Sequence, residues 1–453
     1  MPQLGHRALP LPQSSPELAR TGPRRFPLES YPLGQAFPNF FLGATRSLGY
    51  IRKAKKRYRP RGREKVGGQF RNGPPHSGWK RLSNVTSSLK AMTEMPQKTI
   101  LKGLTLDELR QWVVQQGWER FRADQIFSWL YTKRARSFQE MTDIGKAVRQ
   151  RLGEIADVGL LPVLKTVTSA ETGTVKFLLG LRDGNTVECV YIPEKNRRTV
   201  CLSSQVGCPL GCTFCATGQM GFRRNLAAWE ILEQLLVVER TIGQKLTNVV
   251  FMGMGEPLLN YQEVMRAADL ISDERGISIS HRKIVISTVG IVGRIRRMAE
   301  EERPYRLAIS LNAADDDTRT QIMPINRRYK IHELLEAAKY YYEKTRRRVT
   351  FEYVLIRGVN DRKRDAERLV QLLRGFPCKI NLIPYNETVP EYQRPSLEHV
   401  ERFSRWLRPL PAPIIVRWSR GRDIRAACGQ LWSEGMQERT PSPFASSGET
   451  SPA

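Results

Sequence analysis

Histidine is scarce in this chain. There are five in 453 residues (His6, His76, His281, His332 and His399), none near the one dense group of cysteines. A structural zinc site is closed by four ligands, usually two close pairs of Cys or His, so that group lacks the partners a zinc finger needs. Cysteine is sparse as well, with seven residues, an odd number, clustered rather than spread. Such usage fits a reducing compartment, where cysteines ligate metals or do chemistry instead of stapling loops, and a cytoplasmic protein is expected. Long apolar runs are missing: none reaches the length of a membrane span or resembles a secretory core, so no membrane partner is expected. Acidic residues are also short, 45 Asp and Glu against 73 Lys and Arg, leaving a net charge of +28. A balance of that sign points toward nucleic acid.

The acid shortage is uneven. Residues 1–98 hold nineteen Lys and Arg against four Asp and Glu, so fifteen of the 28 net positives lie there. This segment is rich in Pro, Gly and Ser, carries the dense run Arg52-Lys-Ala-Lys-Lys-Arg-Tyr-Arg-Pro-Arg-Gly-Arg63, and reads as a disordered extension. Three origins compete. It has the composition of a basic RNA-binding arm, with Tyr58 and Trp79 available for stacking. It is also Arg-rich and acid-poor like an organellar transit segment, which would change the compartment, although its prolines oppose an amphipathic helix. Finally, Met92 and Met95 directly precede the first well-patterned stretch, as in an over-extended reading frame, and this origin fits slightly better. Residues 436–453 read as a second disordered tail.

Between these ends the pattern is α/β. Residues 99–165 read as a helical accessory domain. Thr105-Leu-Asp-Glu-Leu109 opens one helix, Arg122–Leu130 gives a second and Ile144–Leu152 a third. Its basic residues (Lys133, Arg134, Arg136, Lys146, Arg149, Arg151) form either a solvated face or an RNA-facing one. Residues 166–199 read as a small β linker, with strands at Val175–Leu179 and Thr186–Ile192 around a turn at Asp183-Gly184. From 200 to 435, strands and helices alternate. The strands are Asn248–Met252, Lys283–Thr288, Arg306–Leu311, Thr350–Leu355, Lys379–Pro384 and Ile414–Trp418. The helices are Ala227–Arg240, Tyr261–Ile271, Val292–Glu300, His332–Lys344, Arg364–Leu373 and Leu397–Leu407. Repeated β-α units imply a parallel sheet in a closed or partial (β/α) barrel, with chemistry at the C-terminal strand ends.

The cysteine group is Val206-Gly-Cys-Pro-Leu-Gly-Cys-Thr-Phe-Cys-Ala-Thr-Gly218, spaced C-x3-C-x2-C. It offers Cys208, Cys212 and Cys215 to one soft centre and no fourth ligand. Four-iron clusters normally take four cysteines, so three leave one iron open to a ligand. Beyond strand Asn248–Met252, Gly253-Met-Gly-Glu-Pro257 offers backbone that a ligand can approach and, in Glu256, an anion for an ammonium group. Ser287 and Ser310 end two further strands, where each either bonds a ligand or caps the next helix.

C-x3-C-x2-C with Phe214, followed by Gly255-Glu256 after the next strand, resembles the radical S-adenosylmethionine (SAM) enzymes. More closely, residues 100–435 resemble the adenine-C2 RNA methyltransferase family (RlmN). The matching stretches are Phe121-Arg-Ala-Asp-Gln, Met141-Thr-Asp-Ile, Val187-Glu-Cys-Val-Tyr-Ile-Pro-Glu194, Cys201-Leu-Ser-Ser-Gln-Val-Gly-Cys208, Met323-Pro-Ile-Asn326, Asn381-Leu-Ile-Pro384 and Ala426-Ala-Cys-Gly-Gln-Leu431. The resistance branch that methylates adenine C8 (Cfr) shares most motifs but is less similar at Val206, Pro257 and Tyr191–Glu194. Two positions depart from the family pattern: Asn312, where many relatives have His, and Arg425, where an acid is common.

The resemblance implies a radical SAM partial barrel, with a helical accessory domain that binds RNA. The implied cofactors are a [4Fe-4S] cluster on Cys208, Cys212 and Cys215, and SAM near Gly255, Glu256, Ser287, Ser310, Leu311, Asn312 and Asn386. The implied partners are 23S rRNA in its peptidyl-transferase region, tRNA at the adenine 3′ of the anticodon, and an electron donor such as flavodoxin or ferredoxin, with the protein a monomer. In the implied reaction Cys428 takes a methyl group from one SAM, and a radical made from a second activates that methyl for addition to adenine C2. Glu188 acts as base, and Cys201 releases the product through a transient disulfide. Cys189 and Cys378 match no functional position and read as core. Without the resemblance, a protein whose cluster is purely structural and whose basic arm binds RNA is the competing class, one with no need of Cys428 or Cys201.

Overall fold

A computed structural model describes residues 98–432; the basic extension, apart from Lys98, and the 436–453 tail lie outside them. Two short strands, β1 (Thr99–Ile100) and β2 (Ala156–Asp157), pair and bracket the accessory helices. The helix Leu106–Gln115 starts at the expected capping box. Thr105 Oγ accepts from the Glu108 N–H at 3.3 Å while the Glu108 carboxylate accepts from the Thr105 N–H at 2.8 Å. The second helix, Phe121–Phe127, runs on into a π turn at Ser128–Thr132, and the third is Lys146–Ile155.

Ten strands form the main sheet. In chain order these are β3 (Val163–Thr168), β4 (Val175–Gly180), β5 (Thr186–Glu194) and β6 (Arg197–Cys201), then β9 (Asn248–Phe251), β10 (Ile284–Thr288), β11 (Arg306–Ser310), β12 (Val349–Leu355), β13 (Cys378–Pro384) and β14 (Ile414–Val416). A separate hairpin pairs β7 (Gln205–Gly207) with β8 (Phe222–Asn225) across the cysteine loop. The sheet order is β14-β13-β12-β11-β10-β9-β6-β5-β4-β3. From β6 to β14 every pairing is parallel, and from β6 to β3 every pairing is antiparallel. Ends at β14 and β3 leave the barrel partial.

β6 is the first barrel strand, and the pattern above passes over it because Arg197-Arg-Thr-Val-Cys carries charge rather than an apolar run. The expected β linker is therefore continuous with the barrel: β5 pairs with β6, and β6 pairs with β9. The sequence pattern also passes over β3, an outer strand whose Val163 and Leu164 are exposed, and the short helix Asp316–Ile322, capped by Asp315. No helix of the described residues is long and apolar enough to cross a membrane.

Buried charge ties the accessory helices to the barrel. Lys102, fully buried, donates to the Glu233 carboxylate and to Gly159 O at 2.7 Å. Burial pushes its pKa below the ordinary range against the pull of Glu233. Glu233 sits on the barrel helix Ala228–Ile242 and also pairs with Arg240. Arg134, one of the accessory cations, bonds Glu239 of that same helix at 2.7 Å, so it faces protein rather than solvent. Because Arg240 remains for Glu233 but Lys102 has no other acid within bonding reach, the two partners are unequal. Glu233→Ala is expected to destabilise the protein by roughly 3–5 kcal/mol, as for any buried pair stripped of one partner, and Lys102→Met by clearly less. Thermal and urea unfolding of both variants checks this; equal losses would contradict it.

Candidate active site

The loop Gly253–Glu256 leaves β9 between close walls. A Cβ on Gly253 would lie 2.6 Å from Ser203 Oγ, and one on Gly255, at φ +94°, 2.5 Å from Gln205 Cβ. Only glycine fits at either point. The walls also hold the loop: Ser203 Oγ accepts from the Met254 N–H at 2.8 Å and Gln205 Oε1 from the Glu256 N–H at 2.8 Å. Glu256 is buried, and its carboxylate accepts from Leu258 N–H at 3.0 Å and Val289 N–H at 2.9 Å. Burial raises its pKa to about 7 despite these bonds. A carboxylate so raised gains most from an incoming cation.

That loop forms one wall of a cavity enclosing ≈ 910 Å³ of empty space, open to solvent. Ser287, Ser310, Asn312 and Asn386 line it from successive strand ends, Cys212 and Cys215 from the cysteine loop, and Cys428 from beyond β14. Of the expected constellation, Cys201, Cys208, Leu311 and Glu188 fall outside this lining. Leu311 is buried outside the lining; its N–H bonds Glu352 O at 2.9 Å and its carbonyl takes Arg319 Nε at 3.0 Å. Glu188, inside β5, is buried away from the cavity, its carboxylate held by Lys176 Nζ at 2.9 Å and by the Trp432 N–H at 3.0 Å. Asn312 adopts φ 58° and its Oδ1 accepts from the Val354 N–H at 2.9 Å, so it serves β12 as well as the cavity.

Cys201 and Cys428 meet in a second cavity beside the first, where both thiols form part of the lining. They are free, as are the other five cysteines, so the resting protein holds no disulfide between them. Cys189 and Cys378 are buried core, as read. Burial drives the Cys201 thiol up to about 12, with Cys428 adding to the effect. Solvent reaches Cys428, yet its recessed position raises its thiol to about 11, Glu352 reinforcing and Arg417 opposing. Neither thiol is a ready nucleophile until a cation joins it.

Sequence reasoning missed Glu352, Arg417 and Arg319. Glu352 lies inside β12, lines the first cavity, and accepts from Ser287 Oγ at 3.1 Å; its Oε1 has Arg417 at 3.9 Å but no hydrogen bond. A carboxylate inside Val-Thr-Phe-Glu-Tyr-Val-Leu355 was the available signal. Arg319 is wholly buried and donates to Leu311 O, to Val289 O at 2.6 Å and to Asn326 Oδ1 at 2.8 Å. The Met323–Asn326 motif is thus a clamp on Arg319, whose pKa burial lowers to about 10.

The three loop thiols fit an iron–sulfur cluster. Each is pushed up, first by burial; Cys208 and Cys212 are raised further by a neighbouring loop cysteine. Such thiols ionise when cationic iron binds them. The donor set of the loop is three thiols with no fourth protein ligand, which suits a cluster that keeps one iron open and does not complete a closed four-coordinate zinc site. Nearby, a Cβ on Gly218 would press within 2.9 Å of Cys212 O, so the loop closes only around glycine.

The charges around Cys428 carry a test. Alkylation of Cys428 by iodoacetamide, followed by peptide mass spectrometry, should rise about tenfold per pH unit from pH 7 to beyond 9 without a plateau. Glu352→Gln should accelerate it and Arg417→Met slow it. A plateau near pH 8.5 in the wild type would contradict the raised thiol.

Comparison with known proteins agrees with this geometry. Residues 202–371 match the Radical SAM superfamily, and residues 99–158 match the ribosomal RNA large subunit methyltransferase N-terminal domain. The chain is 45% identical over 328 residues to a probable dual-specificity RNA methyltransferase RlmN of Clostridium perfringens, covering 72% of this chain and 94% of the relative. It is 48% identical over 318 residues to the probable Thermus thermophilus RlmN, covering 69% and 89%. A solved radical SAM methyltransferase from Sphaerobacter thermophilus superposes with TM-score 0.71 at 45% identity, over 74% of this chain and 99% of that one. With relatives of this identity matched over nearly their whole length, and both expected domains in order, the chain belongs to the RlmN family of radical SAM RNA methyltransferases.

Proposed function

We propose that this protein methylates carbon 2 of an adenine in RNA, with 23S rRNA and tRNA as substrates and S-adenosylmethionine as methyl source. One observation carries the reading: two thiols, Cys428 and Cys201, line one cavity, and Cys428 also lines the cavity reached by the three-cysteine loop. An RNA-binding protein with a structural cluster needs neither. Adenine C2 is electron-poor and has no nucleophilic lone pair, so direct displacement on SAM fails there. When bound, the [4Fe-4S] cluster and SAM supply one-electron cleavage to a carbon radical, chemistry no side chain offers. Cys208, Cys212 and Cys215 hold the cluster. Glu256 offers its carboxylate to the amino group of SAM, with Gly255, Ser287, Ser310, Asn312 and Asn386 around it.

The chain's own residues do the rest. Cys428, as thiolate, takes the methyl group of one SAM by displacement, S-adenosylhomocysteine leaving, and carries it as a thioether. Asn386 fixes the loop by donating to Cys428 O and to Ser419 Oγ, both at 3.0 Å. Once that carbon is joined to C2, Glu188 removes the C2 proton. In the resting state Trp432 N–H occupies the Glu188 carboxylate, so this step requires the Leu431-Trp432 segment to shift. Cys201 then attacks the Cys428 sulfur. The S–S bond forms and the bond from sulfur to the RNA-borne carbon breaks. That carbon takes a proton to become the methyl group, and the unpaired electron of the adduct returns to the electron chain that supplied it. External thiol reduces the disulfide to restore both cysteines. A flavodoxin or ferredoxin suits the electron supply, and a cytoplasmic monomer suits both substrates.

The variants separate these roles. Cys428→Ala should lower turnover at least about a thousandfold and abolish the methyl-sized mass increase on the peptide spanning residue 428. Cys201→Ala should accumulate a covalent protein–RNA adduct, visible as a denaturation-resistant gel shift. Turnover in Cys428→Ala, or clean product release from Cys201→Ala, would overturn the assignment.

A further inference from the structure

Around the mouth of the cavity shared by Cys201 and Cys428 stands a group of residues that the mechanism leaves unused. Trp418 lines that cavity, yet 47% of it is exposed, among the largest exposures of any apolar side chain described. Arg394 lies 5.5 Å from the centre of its ring. Arg394 is half-buried, and its Nη1, shielded from solvent, has no hydrogen-bond partner. Arg420 also lines the cavity, holding Pro193 O at 3.1 Å; Arg422 and Arg425 are exposed on the loop that leads to Cys428. Acids are present too: Asp423 is exposed on the same loop, while two others are engaged. Glu194 of the lining pairs with Arg197 at 2.7 Å, and Glu387 stands 3.7 Å from Arg422. The mouth therefore carries an exposed indole, ten residues before Cys428, with the Arg394 and Arg420 guanidinium groups beside it. Arg425 lines the neighbouring cavity with Thr213, Ala216 and Gln219 of the cysteine loop.

We propose that Trp418 is a base-stacking platform and that Arg394, Arg422 and Arg425 hold the phosphates of the RNA strand that delivers adenine to Cys428. This rests on the RNA reading above and names the surface that realises it. An aromatic face stacks any base, and a single unpaired strand can both stack and thread a base into a cavity, whereas duplex cannot. Arg394 gains twice: its orphaned N–H finds a phosphate oxygen, and its guanidinium backs the indole. Arg422 and Arg425 sit where they would touch the strand on the cysteine-loop side of the mouth.

Binding alone tests this, without cluster or turnover. The full-length protein is titrated with a short RNA hairpin carrying 2-aminopurine in its loop, following probe fluorescence and the quenching of tryptophan emission. Trp418→Ala should weaken binding roughly tenfold or more and remove most of the quenching, while Trp418→Phe keeps affinity near wild type. Arg422→Ala and Arg425→Ala should each reduce the slope of log affinity against log salt by about one. Wild-type binding with an unchanged Trp418→Ala affinity and unchanged salt slopes would overturn the platform while leaving RNA as substrate. Absence of wild-type binding would overturn both. A Trp418→Ala loss that Trp418→Phe shares in full would mark a packing role and overturn stacking.

Discussion

The chemistry depends on two distant loops being held edge to edge. The cysteine loop follows β6 and the Cys428 loop follows β14, at opposite ends of the parallel sheet. Ala216 N–H donates to Gly429 O at 2.8 Å, Thr217 Oγ to Leu431 O at 2.8 Å, and Thr388 Oγ to Phe214 O at 2.8 Å. These bonds give backbone and hydroxyl groups partners they would otherwise lack on burial. They also place Cys428 in the cavity that Cys212 and Cys215 line. A rolled parallel sheet makes the meeting possible, because its first and last strands curve toward one another at their C-terminal ends.

The floor beneath this contact is polar and closely satisfied. Arg319 gathers carbonyls from the ends of β10 and β11, and Asn326 fixes it in turn by accepting from Nη1 while donating to Asp316 Oδ1 at 2.9 Å. Its charge also raises no pairing demand on the cavity, since carbonyls satisfy it. Glu352 and Arg417 are different. They stand between the two cavities with an incomplete contact, and their opposing charges act on both thiols. The site thus keeps its scaffold satisfied and its reactive groups under-satisfied, which is how binding energy becomes available to a cationic or anionic ligand.

Most of the barrel was legible because each apolar strand is bounded by turn residues and each helix carries a 3.6-residue stripe. The failures have physical causes. β6 hides because two of its five residues are arginine, β3 because an outer strand has little apolar face to display, and Asp316–Ile322 because seven residues hold barely two turns. At the site, cysteine spacing and the glycine loop announced themselves, since few alternatives require those residues there. Glu352 and Arg319 did not, because a buried charge is recognised by its partners, and those come from distant strands. Leu311 lies outside the cavity lining for a related reason: its backbone groups already bond Arg319 and β12. Glu188 stands out in the sequence only through the resemblance, and its latch to Trp432, across 244 positions of chain, is visible only in three dimensions.

The reaction this constellation serves is delivery of a methyl carbon to adenine C2. It is tested most directly by nucleoside mass spectrometry of unmodified rRNA and tRNA, incubated anaerobically with cluster-loaded protein, reductant and SAM. 2-Methyladenosine is expected in both RNAs, and none when the cluster is absent. 8-Methyladenosine, or no methylated adenosine despite verified SAM cleavage, would contradict it.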